Sequence, residues 1–209
     1  MPLPSLENYY RVTTLPPQFS GLSGRSDSFE VAVIGGGFAG LATARGLQER
    51  GIKSVVVLEA ERVGHGASGR NGGFVFGGYS RDAVDLLRDL GAAPARNLYA
   101  LTRDAVGLIR RRIVEHGMAC ERIEGGALLA NWFHSARAQQ RLRAQARFMH
   151  EQFGVSWDEL APAEVRSQLH SERYSNALLE RDAFHFHPLK YAQALAALIA
   201  SDGGTIAQG

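Results

Sequence analysis

The residues of this chain best placed to do chemistry begin at Gly35. The run Gly35-Gly36-Gly37-Phe38-Ala39-Gly40 fits G-x-G-x-x-G, with Gly35, Gly37 and Gly40 in the three glycine places. The first glycine allows a tight turn, the second lets a pyrophosphate approach the backbone, and the third lets a helix pack close to a strand. A helix opening at Phe38 and Ala39 offers unpaired N–H groups and the positive end of its dipole to phosphates. Glu59 follows nineteen residues after Gly40, with Ala60 beside it. An acid there accepts hydrogen bonds from both ribose hydroxyls, and its charge disfavours a 2′-phosphate, which argues against NADP. Three glycines alone are weak evidence, and Glu59 alone is a surface carboxylate at a strand end. Together they make dinucleotide binding the stronger reading.

A second polar cluster is ASGRNGG, formed by Ala67, Ser68, Gly69, Arg70, Asn71, Gly72 and Gly73. Its glycines permit close backbone approach, while serine, arginine and asparagine supply donors to phosphate or ring oxygens. Bracing of the loop by Arg70 or Asn71 is the competing reading. A nicotinamide-binding unit passes from its second strand to a helix and third strand within a few tens of residues. Here the next strand of that type starts only at Thr205. An insertion opened by such a loop suits a ligand whose far end is larger than nicotinamide.

The elements needed to position these residues are legible. FEVAVIGGG is a short apolar, β-branched run ended by glycine, a buried strand. Residues 38–50 carry Leu41, Ala44 and Leu47 toward one side and stop at Gly51, a helix with a glycine terminator. SVVVLE is a second buried strand, and the three elements form a βαβ unit with parallel neighbouring strands. Beyond the loop, Ser80 is expected to cap a helix running to Leu90. Leu98, Leu101, Ala105, Leu108 and Ile113 predict a longer helix ending at Gly117. ERIEGGALLANW reads as two short strand pieces joined by Gly125-Gly126. A helix over 135–153 carries Arg137, Arg141, Arg143 and Arg147, read as a solvated face rather than an anion stripe. A short helix from Pro162 flanked by turns, a strand at 183–187, a helix from Pro188 to Gly203-Gly204 and a last strand from Thr205 complete the chain.

Residues 1–28 hold four of the seven prolines and no periodicity, so they read as an extended arm, with the ordered core starting near Phe29. The expected organisation is that arm, a βαβ unit with its loop over 29–79, a helix-rich insertion over 80–180 and a return to the first domain over 181–209. The fold class is α/β, a Rossmann-like unit carrying a helix-rich α+β insertion.

Other candidates are weaker. His185 and His187 alternate on the expected strand, but no third metal ligand has suitable spacing, and His187 before Pro188 reads as a helix cap. No metal site and no catalytic triad are expected. The lone Cys120 excludes an internal disulfide and reads as a small core residue. His65, between Gly64 and Gly66, is a further loop neighbour. With 23 basic and 21 acidic residues no strong field points to nucleic acid, and no apolar run approaches the ~20 residues of a membrane helix. A cytoplasmic protein is expected.

The runs VAVIGGGFAGLATARGLQERG, VVVLEAERVGHGASGRNGG and HFHPLKYAQALAALIASDGGTI resemble the FAD-dependent D-amino-acid oxidase superfamily. The branch of glycine/D-amino-acid and gamma-glutamylputrescine oxidases is the nearest. The resemblance runs from about residue 8 to the last. It implies FAD as cofactor, with the glycine run and Glu59 on its ADP part, Arg62 near the adenosine, and residues 67–73 along the pyrophosphate and flavin. It implies a small-molecule amine or amino-acid substrate, whose carbon bearing nitrogen gives up a hydride equivalent. An acceptor such as dioxygen would then reoxidise the flavin. Family members also carry further strands and a second glycine-rich contact beyond the point where GGTIAQG ends. The expectation is therefore an incomplete sheet and a fragment inactive alone, completed by a separately encoded C-terminal half. Three readings stay open: a flavin amine oxidoreductase or part of one, an NAD-dependent dehydrogenase, and a non-catalytic remnant.

Overall fold

The computed structural model describes residues 8–15, 17–19 and 28–209. Its elements in chain order are α1 (Tyr9–Val12), β1 (Val31–Ile34), α2 (Phe38–Glu49), β2 (Val55–Glu59), β3 (Phe74–Val75), α3 (Ala83–Leu90), α4 (Ala92–Glu115) and β4 (Ala127–Ala130). They continue with α5 (Ala136–Phe153), β5 (Asp158–Leu160), α6 (Pro162–Leu169), β6 (Ala177–Glu180), β7 (Phe184–His185), α7 (Pro188–Ser201) and β8 (Thr205–Gln208). The chain divides into two compact units. The first holds the described residues up to Gly73, with Arg112–Arg122 and Phe186–Gly209; the second holds Phe74–Arg111 and Ile123–His185.

The first unit is the expected parallel sheet, in the order β1-β2-β8. Val31 to Ile34 register against Val55 to Leu58, and Val56 to Glu59 against Thr205 to Gln208. Val55, Val56 and Val57 are all buried, so the central strand is apolar on both faces rather than alternating. Leu41 and Ala44 of α2 and Leu189, Ala192, Leu195 and Ile199 of α7 are buried, and the Gln48 side chain donates to the Ile199 carbonyl at 2.8 Å. Among the described residues β1 pairs with β2 alone; separately, Ala32 and Ile34 on one face of β1 are exposed, Ile34 to 88%.

The second unit has a sheet of which the sequence revealed only one strand. Antiparallel β4, β6 and β5 lie in the order β4-β6-β5; β4 is one of the expected strand pieces after Gly125-Gly126, while β5 and β6 stand where turns were expected around the helix from Pro162. Along β6, Ala177 and Leu179 cluster with Val165 of α6, while Leu178 clusters with Leu142 and Ala146 of α5. The strand is therefore buried on both faces, and ALLE lacks the period-two signal of a half-exposed strand. β3 and β7 form a separate antiparallel pair, Phe74 against His185 and Val75 against Phe184.

Three further expectations change. The helix predicted from Ser80 starts at Ala83, with Asp82 in its cap place but making no side-chain cap bond. The buried stripe of α4 is Ala95, Tyr99, Val106 and Ile113, so Ile113 lies on it as expected, while Leu101 and Ala105 are exposed and Leu98 and Leu108 are half-buried. The N-terminal segment holds a helical turn at Tyr9–Val12 capped by the Asn8 side chain; the rest of the expected extended arm lies largely outside the described residues.

Candidate dinucleotide site

The turn between β1 and α2 is built from its glycines. Gly35 has φ +100, a conformation L side chains rarely adopt, and a Cβ placed on it would meet nothing within 4 Å. A Cβ on Gly40 would lie 1.9 Å from the Gly35 carbonyl oxygen, so the third glycine is what allows α2 to leave the strand at this angle. Gly37 holds the N-cap place of α2 without any side chain to cap it. Instead the Ser68 hydroxyl, from the following loop, accepts the Phe38 N–H at 2.9 Å. That oxygen occupies the kind of place a phosphate oxygen takes at a helix N-terminus.

Glu59 ends β2 half-buried. One carboxylate oxygen accepts from the Gly36 N–H at 2.6 Å and the other from the Glu61 N–H at 2.9 Å. The carboxylate is thus fixed in orientation beside the glycine turn, and each oxygen retains acceptor capacity for a hydroxyl. Ala60, Glu61 and Arg62 beyond it are exposed.

The loop over 67–73 begins as a single 3-10 turn, Ala67–Gly69. It is tied to the glycine turn through the Gly64 N–H, which donates to the Gly36 carbonyl at 2.9 Å. A Cβ on Gly69 would lie 2.2 Å from the Gly64 carbonyl oxygen, and one on Gly73 would lie 2.2 Å from that of Phe186. Both glycines serve close backbone contact. The Asn71 amide donates to the Ala67 and Ser68 carbonyls at 3.1 and 2.9 Å, and its oxygen accepts from the Gly73 N–H at 2.8 Å. Its side chain braces the loop. Arg70 is exposed with the His65 ring nitrogen at 3.3 Å, and Gly72 is exposed.

All the sequence-predicted positions lie in this bonded cluster or directly beside it in the chain, with the side chains of Arg62 and Arg70 exposed. The contact missed by sequence reasoning is Ser68 on the start of α2, which spans thirty residues and has no local signal. The other histidine expectation resolves clearly: His185 is exposed on β7, whereas buried His187 caps α7, its Nδ1 accepting the Lys190 N–H at 3.1 Å. Cys120 is fully buried and burial pushes its thiol pKa up, an inert core residue. Among the described residues no cluster of His, Cys, Asp and Glu could hold a metal, and no helix is long and apolar enough to cross a membrane.

Residues 30–209 match the family described as FAD dependent oxidoreductase, DAO. The chain belongs to this family. One relative, the gamma-glutamylputrescine oxidoreductase of Escherichia coli (strain K12), is 37% identical over 178 residues, 85% of this chain and 41% of the relative. Among solved structures, L-amino acid deaminase from Proteus myxofaciens superposes on 93% of this chain and 41% of its own, with a TM-score of 0.71 at 22% identity. Glycine oxidase from Bacillus cereus covers 87% and 46%, with a TM-score of 0.62 and the same 22% identity. The DAO-family fold is thus shared well beyond the range of close sequence likeness. The chain spans less than half the length of the curated relatives it matches.

The family's cofactor is FAD, and the residues present suit it. The glycine turn leaves open space at Gly35, the start of α2 lacks a cap of its own, and an oriented carboxylate ends β2. A dinucleotide needs these three features together.

Proposed function

We propose that the first unit holds FAD and that the chain forms part of an oxidoreductase acting on the C–N bond of an amine or amino acid. Gly35, Gly37, Phe38, Ala39 and Gly40 would receive the pyrophosphate, and Glu59, next to Ala60, the adenosine ribose, with Arg62 near the adenosine. Ala67, Ser68, Gly69, Arg70, Asn71, Gly72 and Gly73 would follow the cofactor toward its flavin end. The observation that carries this reading is the uncapped opening of α2, where only Ser68 from the neighbouring loop meets the Phe38 N–H.

FAD, when bound, supplies a hydride acceptor for the carbon that bears nitrogen. The chain's own residues bind and orient. Glu59 keeps its carboxylate aimed by two backbone N–H groups, Asn71 holds the loop in shape, and the side chains of Ser68 and Arg70 supply donors. Glu59 also supports FAD over a 2′-phosphorylated cofactor, by charge. The 37% relative, named for gamma-glutamylputrescine, directs the substrate search to amines.

The absorbance spectrum of the purified chain tests the cofactor. Visible flavin absorbance, with FAD released on denaturation, is expected; folded protein that stays colourless when FAD is added sinks the reading, and retained NAD would replace it with a dehydrogenase. Bleaching of that absorbance by an amine under anaerobic conditions tests the reaction.

A further inference from the structure

The second unit contains a cavity of about 530 Å³, within the range of small-molecule sites. Its wall begins with the residue that follows Gly73. Phe74 and Phe76 lie two apart, and with Tyr79 they are exposed aromatics in one short stretch, 69%, 55% and 48% accessible. Exposed rings concentrated on a hollow mark a binding surface. Leu178, Tyr99 and Trp157 add apolar and aromatic wall.

Two carboxylates, Glu180 and Asp82, stand in this wall. Strand alternation puts Glu180 on the same face of β6 as Leu178, and one Glu180 oxygen accepts from the Gly77 N–H at 3.3 Å. Among the described residues the other oxygen accepts no hydrogen bond. Burial raises the carboxyl's pKa; Gly77 and Arg103 oppose the shift, and Asp182 adds to it. Arg103 is also 3.9 Å from Asp182. Tyr99, pushed up to about 12 by burial, stays a neutral phenol. The other charged side chains of the wall are Asp82, which caps nothing, and Arg81, which is paired with Asp89; His185 also lines it. The wall therefore carries an excess of acid beside aromatic faces, the combination that recognises an organic cation.

We propose that this cavity binds an alkylammonium group, with Glu180 as the counter-ion and the aromatic wall holding the methylene chain. The site deepens the amine-oxidising reading and rests on it in one respect: the bound group is the non-reacting, cationic end of the substrate. A substrate with a second ammonium group would engage it.

Calorimetric titration of the full chain with hexylammonium, hexanol and hexanoate tests this without turnover. A hydrogen bond to a charged group stabilises by ~1.5–3 kcal/mol, so hexylammonium should bind about tenfold or more tighter than hexanol, and hexanoate most weakly. The preference should shrink as pH falls and Glu180 takes up a proton. Glu180→Gln should abolish the preference while hexanol affinity is unchanged, which also shows that the variant is folded. Equal affinities for hexylammonium and hexanol in the wild type, or a Glu180→Gln protein that keeps the preference, overturns the proposal. Flavin content is read in parallel. Alkylammonium selectivity in protein that binds no FAD leaves this site standing and removes the cofactor reading, whereas flavin-loaded protein without selectivity does the reverse.

Discussion

At the scale of single residues, the glycines divide into those the backbone demands and those it does not. Gly40 is demanded: its Cβ would sit 1.9 Å from a backbone oxygen that cannot move without displacing the start of α2. Gly40→Ala is therefore expected to cost a few kcal/mol, beyond the common ~0.5–3 kcal/mol range only if the strand-helix angle cannot relax, and to lower FAD retention with it. Gly66 is the contrast. It has φ −77 and nothing within 4 Å of a Cβ. Its ψ of −147 lies just outside the broad extended region, so Gly66→Ala should cost no more than about 1 kcal/mol, through the backbone and not through a clash, and leave FAD retention unchanged. Denaturant unfolding with flavin absorbance on the same samples checks both. If Gly40→Ala were as harmless as Gly66→Ala, the close approach would have no energetic meaning. Gly73 is a poor test of flavin contact, because its positive φ and its approach to the Phe186 carbonyl predict a structural cost regardless of ligand. Gly72, exposed in the same loop, is the better position.

At the scale of elements, α7 shows a side chain joining two parts of the first unit. The His187 Nδ1 accepts the Lys190 N–H, which requires that nitrogen to be unprotonated. Its Nε2 then carries the hydrogen and faces the Thr13 and Thr14 hydroxyls at 3.0 and 3.2 Å, with the Tyr10 ring edge-on at 4.8 Å. Burial pushes the imidazole below its ordinary pKa, opposed by Glu121 and aided by Lys190. The unfolded chain binds a proton near the ordinary value of about 6.5 where the folded chain does not, so this site's stabilisation is full above that pH and declines as pH falls below it. His187→Asn keeps a capping oxygen but does not titrate. Thermal midpoints from pH 7.5 to 5.5 should fall more steeply in the wild type than in the variant; parallel slopes would refute the assignment. The elements also show what was legible beforehand. Motifs whose parts are close in sequence, the glycine turn, Glu59 and the proline start of α7, were readable because local backbone sterics and caps create them. β6 was not, because a strand buried on both faces has no alternation, and β5 was not, because its three residues are too few to show a period; Glu180 was invisible until β6 was known. Asn71 was ambiguous for a related reason: only the fold shows that its amide is engaged within its own loop.

At the scale of the whole molecule, the two units assign two ligand chemistries to separate stretches of one chain. Polar turns of the first unit suit a dinucleotide, and the aromatic, acidic hollow of the second suits an organic cation. A ligand that binds only the folded state stabilises it by RT ln(1 + [L]/Kd), about 2.7 kcal/mol at a hundredfold excess over Kd, roughly a hundredfold slower exchange where opening requires its release. Hydrogen exchange read by mass spectrometry separates the two sites. FAD should slow exchange at residues 35–40, 59–62 and 67–73. Hexylammonium should slow it at 74–79 and along β6, whose amides belong to a different unit. Each ligand is expected to leave the other's peptides unchanged unless the occupied sites are energetically coupled, and coupling would show as equal, reciprocal increases in protection when both are present. Protection by FAD confined to the second unit would contradict the placement of the cofactor, and protection by hexylammonium confined to residues 35–73 would contradict the role of Glu180.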